Sequence, residues 1–162
     1  MSVTPVIPAA SRPPLYTPEQ RHRRDTSAWT QVQGVLAALQ FVVFLGSLGL
    51  VLRYLASGNG EQWALGSVVL KTWLLYTIMV TGSVWEKVVF GQWLFAPAFF
   101  WEDMVSMLVL ALHTAYLWAW WRASVSGEQL AWLALAAYAA YAVNATQFLW
   151  KLRTARLQGG AA

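Results

Sequence analysis

Thr26 to Leu52, TSAWTQVQGVLAALQFVVFLGSLGLVL, runs for 27 residues without a charged side chain. At about 1.5 Å per residue, a helix of that length outreaches the about 30 Å of hydrocarbon in a bilayer. Three further stretches repeat the pattern. Gln62 to Trp85 has 24 residues and one charge, Lys71; Met104 to Trp121 has 18 with none; Gln129 to Trp150 has 22 with none. Backbone groups in hydrocarbon must be paired within their own segment, and no window alternates with period two, so helices are expected and not barrel strands. The expected fold is all-α: an integral membrane four-helix bundle with spans at about 28–54, 62–85, 102–122 and 129–150.

Composition agrees. Of 162 residues, 58% are hydrophobic and 11% charged, whereas soluble domains carry roughly 25% charged residues. The 11 Trp, 6 Tyr and 7 Phe suit a membrane–water boundary, where amphipathic rings concentrate. The absence of Cys excludes disulfide frameworks, thiol nucleophiles and cysteine-ligated clusters. The two His, His22 and His113, are 91 positions apart, which disfavours a protein metal site and a bis-histidine haem within one chain. A net charge of +4 does not indicate a nucleic-acid partner, because the basic residues sit at the ends with no polar domain to present them.

Those basic residues set an expected orientation. Arg12, Arg21, Arg23, Arg24, Lys87, Lys151, Arg153 and Arg156 fall on one side of four spans, and Arg53 and Arg122 on the other. The positive-inside rule then places both termini in the cytoplasm. Five of the six prolines lie in the first 18 residues. Residues 1–25 are therefore expected to be a disordered Pro-rich, basic tail, 26–157 a single membrane domain and 158–162 a flexible tail. No removed signal peptide is expected. Ser57-Gly58 and Ser126-Gly127 suit tight turns between helices.

Glu86 to Asp103, EKVVFGQWLFAPAFFWED, joins the second and third spans. Its 14 uncharged residues are too few to cross, so an aromatic re-entrant or interfacial segment is expected. One reading is an aromatic belt anchored at the headgroups. Another is a flat hydrophobic surface for a large planar ligand, bordered by Glu86, Glu102 and Asp103. Those acids also have ordinary uses: Glu86 beside Lys87, and Glu102 and Asp103 at the positive end of a helix.

Ionisable and polar residues inside spans are functional candidates because hydrocarbon penalises charge. The 11-residue step from Glu102 to His113 leaves an offset of about 20° at 100° per residue, so both share a face with Ser106 and Val109. Lys71 lies within the second span, where it could serve a site or snorkel outward. Tyr141, Asn144, Gln147 and Lys151 form one face of the fourth span, and Gln33, Gln40 and Ser47 one face of the first. Such stripes also serve as packing contacts between helices. Metalloprotease, phosphate-loop and serine-hydrolase motifs are absent.

The stretch MVTGSVWEKVVFGQWLFAPAFFWEDMVSM (Met79 to Met107), followed by ALHTAYL (Ala111 to Leu117), resembles the 3-vinyl bacteriochlorophyllide hydratases. LYTPEQRHRRD (Leu15 to Asp25) and NATQFLWKLRTAR (Asn144 to Arg156) extend the resemblance over about residues 15 to 157. It implies a hydro-lyase of bacteriochlorophyll biosynthesis in the bacterial inner or intracytoplasmic membrane. Water would add across the 3-vinyl group of a chlorophyllide or bacteriochlorophyllide, giving a 3-(1-hydroxyethyl) group, with no cofactor. The implied partners are a magnesium chlorin substrate, water and the lipid bilayer, with a homo-oligomer or other pigment-biosynthesis enzymes as further candidates.

Such a reaction protonates the terminal vinyl carbon, spreads positive charge into the macrocycle and lets water attack the adjoining carbon. It needs an acid, a base and stabilisation of the cation. Burial among aromatic rings favours the neutral acid that can donate. Glu102, Asp103 and Glu86 are accordingly the candidate carboxyls. His113 is a candidate proton relay or axial ligand to the substrate's magnesium. Lys87, Lys71 or Arg24 are candidates to pair with the propionate, Trp101 and Phe100 to seat the ring, and Asn144 and Gln147 to line the cleft. Two other classes remain open on the residues alone: a non-catalytic pigment-binding or assembly protein, and a structural membrane subunit.

Overall fold

The computed structural model describes residues 14–159, with side chains through Arg156. Five helices follow in order: α1 (Pro18–Thr26), α2 (Ala28–Ser57), α3 (Glu61–Phe90), α4 (Phe100–Arg122) and α5 (Gly127–Gly159). Helices α2, α3 and α4 are long and apolar enough to cross a membrane. Helix α5 is longer still, at 33 residues. Tyr138, Tyr141, Asn144 and Gln147 within its apolar run make it less hydrophobic than the other three.

Two helical hairpins form the body. The turn between α2 and α3 needs Gly58 (φ 70°) and Gly60 (φ 83°) in the left-handed region, which costs a glycine nothing. Tyr54 Oη donates to Glu61 Oε2 at 2.9 Å across that turn. Before α5, Ser126 Oγ accepts from Gln129 N at 3.2 Å while Gln129 Oε1 accepts from Ser126 N at 3.0 Å, a reciprocal cap on the helix start. α2 packs along α3 and α4 along α5. The two hairpins meet where α5 touches α2 and α3, and along a seam between α3 and α4.

The half of the body nearer these turns has an apolar core of Phe44, Val51, Leu65, Val68, Tyr116 and Tyr138 against Ala131 and Ala134. Small residues on α5 let the backbones approach closely. The outside is apolar too: Val35, Val42, Leu45, Leu70, Leu108 and Leu149 are exposed. Exposed tryptophans ring both ends, Trp63, Trp121 and Trp132 near the turns and Trp93, Trp101 and Trp150 at the far end, as expected of interfacial belts.

One expectation is corrected here. Residues 18–26, assigned largely to a disordered tail, form α1. Pro18 stands at the start of the helix, where proline is favourable because its missing N–H would be unpaired anyway. Thr17 and Gln20 close a capping box, with Gln20 N donating to Thr17 Oγ1 at 3.2 Å and Thr17 N to Gln20 Oε1 at 3.0 Å. Tyr16, just ahead, is buried and stacks on Phe90 at 5.7 Å between centroids. Residues 1–13, with Arg12, and residues 160–162 lie outside the described residues. Thr17→Ala should weaken α1 by about 1 kcal/mol, read as faster tryptic cleavage at Arg21, Arg23 and Arg24 with the remaining helices intact.

Candidate active site

Glu86, near the end of α3, and Glu102 and Asp103, in the first turn of α4, are all buried. They meet beneath the irregular segment 91–99 that joins the two helices. The Glu86 and Asp103 side chains are in hydrogen-bond contact. Ionised carboxylates are acceptors only, so contact between two of them is favourable when one proton lies between them. The loop above them supplies two consecutive amides: Phe95 N donates to Asp103 Oδ2 at 2.8 Å and Ala96 N to Glu86 Oε2 at 3.1 Å. That placement requires Phe95 at φ 59°, a region costly for a side chain of its size.

Glu102 is held differently. Lys151 of α5 forms an ion pair with it, Nζ to Oε2 2.6 Å, and also donates to the carbonyl of Ala98. Asn144 Nδ2 donates to Ser106 Oγ at 2.8 Å and to the Glu102 carbonyl at 3.1 Å. The cluster therefore contains a pair of adjoining carboxyls and, beside it, one carboxylate ion-paired with an ammonium.

The aromatic segment divides into two faces. Phe99 is buried and Phe90 half-buried, and they pack with Tyr16, Trp85 and Phe148, so these rings are core and not a free seat. Trp93, Phe95, Phe100 and Trp101 are exposed. Phe95 and Phe100 lie 6.0 Å apart, and Phe100 and Trp101 5.4 Å, between centroids. An open aromatic ledge thus surrounds the backbone that grips the carboxyl pair.

A second polar cluster lies at mid-helix. Lys71 is fully buried. Its ammonium donates to Gln40 Oε1 and sits 3.6 Å from the centroid of Tyr141. The Nδ1 of His113 lies 2.8 Å from the Val109 carbonyl; facing a carbonyl, it carries the proton, and the buried Nε2 has no protein partner. Gln40 Nε2 and Gln147 Oε1 are likewise buried and unpartnered. Ser47 Oγ bonds Tyr138 Oη and Ser67 Oγ, each at 2.5 Å.

The helical stripes place their members as the spacing predicts: Glu102, Ser106, Val109 and His113 all lie on the buried face of α4. Two local readings are corrected. Lys87 does not pair with Glu86; it is exposed, donates to Gly91 O at 2.8 Å and lies 5.9 Å over Trp93. Lys71 turns inward and does not snorkel. Arg24 pairs with Asp25 at 2.7 Å and covers the Tyr16 ring at 4.6 Å. The sequence alone does not single out Lys151 or the Phe95 and Ala96 amides for the site. The polar stripe ending at Lys151 was the available signal for the first; no sequence signal marks the amides.

Fold and site together define an all-helical protein of membrane character, with an acid–base cluster beneath an aromatic ledge at one end. Its relatives are specific. The profile of the 2-vinyl bacteriochlorophyllide hydratase family matches residues 16–154, and the chain belongs to that family. The 2-vinyl bacteriochlorophyllide hydratase of Cereibacter sphaeroides is 64% identical over 158 residues, covering 98% of each chain. That of Rhodobacter capsulatus is 60% identical over 151 residues, covering 93% of this chain and 88% of the relative. No solved structure matches the chain.

Proposed function

We propose that the Glu86–Asp103 pair is the proton donor in hydration of a bacteriochlorophyllide vinyl group, the activity that family membership gives this chain. The vinyl is numbered 2 in the family's description and 3 in systematic tetrapyrrole numbering. The observation that carries the assignment is the meeting of two buried carboxyls, each gripped by a loop amide, under the aromatic ledge. The macrocycle lies against Phe95, Phe100 and Trp101, with its vinyl toward the pair. The pair's proton goes to the terminal vinyl carbon, and the positive charge appears on the carbon next to the ring. Water oxygen bonds to that carbon, and its surplus proton returns to the pair, which is restored. Glu102, ionised beside Lys151, stabilises the cation.

His113 is ten residues beyond Asp103, about 15 Å along the helix. That exceeds what a pigment with its vinyl at the pair spans from vinyl to central metal, so His113 is not the magnesium ligand in this pose. Asn144 acts by holding Glu102 and Ser106 in place.

The four-span reading belongs with this function. α5 is the fourth crossing and 91–99 an interfacial segment, so the carboxyl cluster faces one compartment. Arg21, Arg23, Arg24, Lys87, Lys151, Arg153 and Arg156 lie at that end and Arg53 and Arg122 at the other, which supports cytoplasmic termini by the positive-inside rule.

The test is incubation of membranes carrying the protein with vinyl pigment in ¹⁸O-water. The product should gain the mass of one labelled water, and its red absorption band should move to shorter wavelength as conjugation is lost. Pigment retained on the protein without that mass gain would indicate a pigment-binding protein instead.

A further inference from the structure

The mid-helix cluster contains a buried amine, Lys71, with no acidic partner among the described residues. Among the described residues, Lys71 makes no ion pair, and its two contacts, a carbonyl oxygen and the face of Tyr141, both favour an ammonium. An uncompensated charge at this depth is costly, and such groups pair with a counter-ion when one is within reach. Gln40 adds a second donor: its Oε1 is taken by Lys71, which leaves the amide NH₂ of a 1% exposed residue unpartnered. Two donors, one of them charged, call for a carboxylate.

Depth identifies which carboxylate. Trp85 Nε1 donates to Thr30 Oγ1 at 2.9 Å, which sets Thr30 close to the level of Glu86. Gln40 is ten residues further along α2, about 15 Å, and the Lys71 backbone is fifteen residues from Glu86 along α3, about 22 Å, but its ammonium reaches back to Gln40. On a chlorin, the vinyl and the propionate stand on neighbouring pyrrole rings and point apart. With hydrogen-bond reach added at both ends, one molecule spans a gap of this order. The seam between α3 and α4, bridged by Tyr76 Oη to Thr114 Oγ1 at 2.8 Å, runs between the level of the carboxyl pair and that of this cluster.

We propose that Lys71 and Gln40 form a carboxylate site for the substrate's free propionate, and that this site selects the acid over esterified pigments. The assignment rests on the pigment being the substrate and deepens that reading. Lys87 and Arg24, engaged elsewhere at the rim, are not the propionate partners.

Binding of vinyl chlorophyllide and of its methyl ester, followed by tryptophan fluorescence quenching, tests it without turnover. A charge-assisted pair predicts that the intact protein prefers the acid by about 10–100-fold. Lys71→Met should bring acid and ester within about threefold by the same reasoning, Gln40→Leu should reduce the preference partially, and Lys71→Arg should keep most of it. An unchanged preference in Lys71→Met, or its collapse in Lys87→Met instead, overturns the site. So does displacement of acid and ester alike by palmitate, which would make the cluster a fatty-acid site. Because binding is read directly, the preference can stand while the Glu86–Asp103 assignment fails, and the reverse.

Discussion

Replacing Glu86 by Gln, or Asp103 by Asn, is expected to lower the hydration rate by about 10²–10⁴-fold, the usual size of a general acid's contribution. The amides are chosen for what they keep. Each retains a carbonyl oxygen to accept from the loop, so the bonds from Ala96 N and Phe95 N survive and the ledge stays in place. What disappears is the shared proton. The double variant should be little worse than either single one, since groups acting as a unit give non-additive losses. Pigment binding should change little, so the loss should fall on kcat. If both single variants hydrate at the wild-type rate with intact binding and thermal stability, the acid is elsewhere. Glu102→Gln is the internal comparison: it removes a stabilising charge but not the shared proton. A loss there exceeding that of Glu86→Gln would exchange the roles assigned to them.

How much of this was legible in the sequence follows from which distances are local. Helical periodicity is fixed by backbone geometry. The stripe from Glu102 through Ser106 and Val109 to His113 could therefore be drawn from spacing alone, and so could that from Tyr141 to Lys151. Contacts between elements were not readable in the same way. Glu86 and Lys87 are neighbours in sequence, but successive residues on a helix point about 100° apart, and the lysine faces out while the acid faces in. The true cationic partner in the cluster, Lys151, is 49 positions from Glu102. The grip of Phe95 and Ala96 on the carboxyl pair depends on a left-handed Phe95, a conformation that local propensity disfavours and tertiary contacts impose. The prolines around α1 hide it in the sequence, because proline generally marks irregular chain, although Pro18 occupies the position where helices accept it.

Lys151→Met carries the largest expected loss of stability, about 3 kcal/mol, the lower end for breaking a buried ion pair because the lysine is partly exposed. The ammonium neutralises Glu102 and also ties the Ala98 carbonyl to α5. Removing it leaves a carboxylate with 9% side-chain exposure beside the Glu86–Asp103 pair, with no cation to offset it. A second change should recover much of the loss. In Lys151→Met with Glu102→Gln, neither partner is charged, and the methionine fills most of the lysine's volume against Phe99, whose ring centroid lies 5.1 Å from Nζ. The pair can be measured by thermal or denaturant unfolding in detergent as a double-mutant cycle. The double variant should be clearly more stable than Lys151→Met alone. If it is instead less stable, Lys151 acts through its bond to Ala98 and its packing, and the charge on Glu102 is tolerated without it. Activity separates the two parts of the argument: restored stability with hydration still depressed identifies the Glu102 charge as part of the chemistry, whereas recovery of both leaves Glu102 a support for α4 and the Glu86–Asp103 pair as the sole acid–base group.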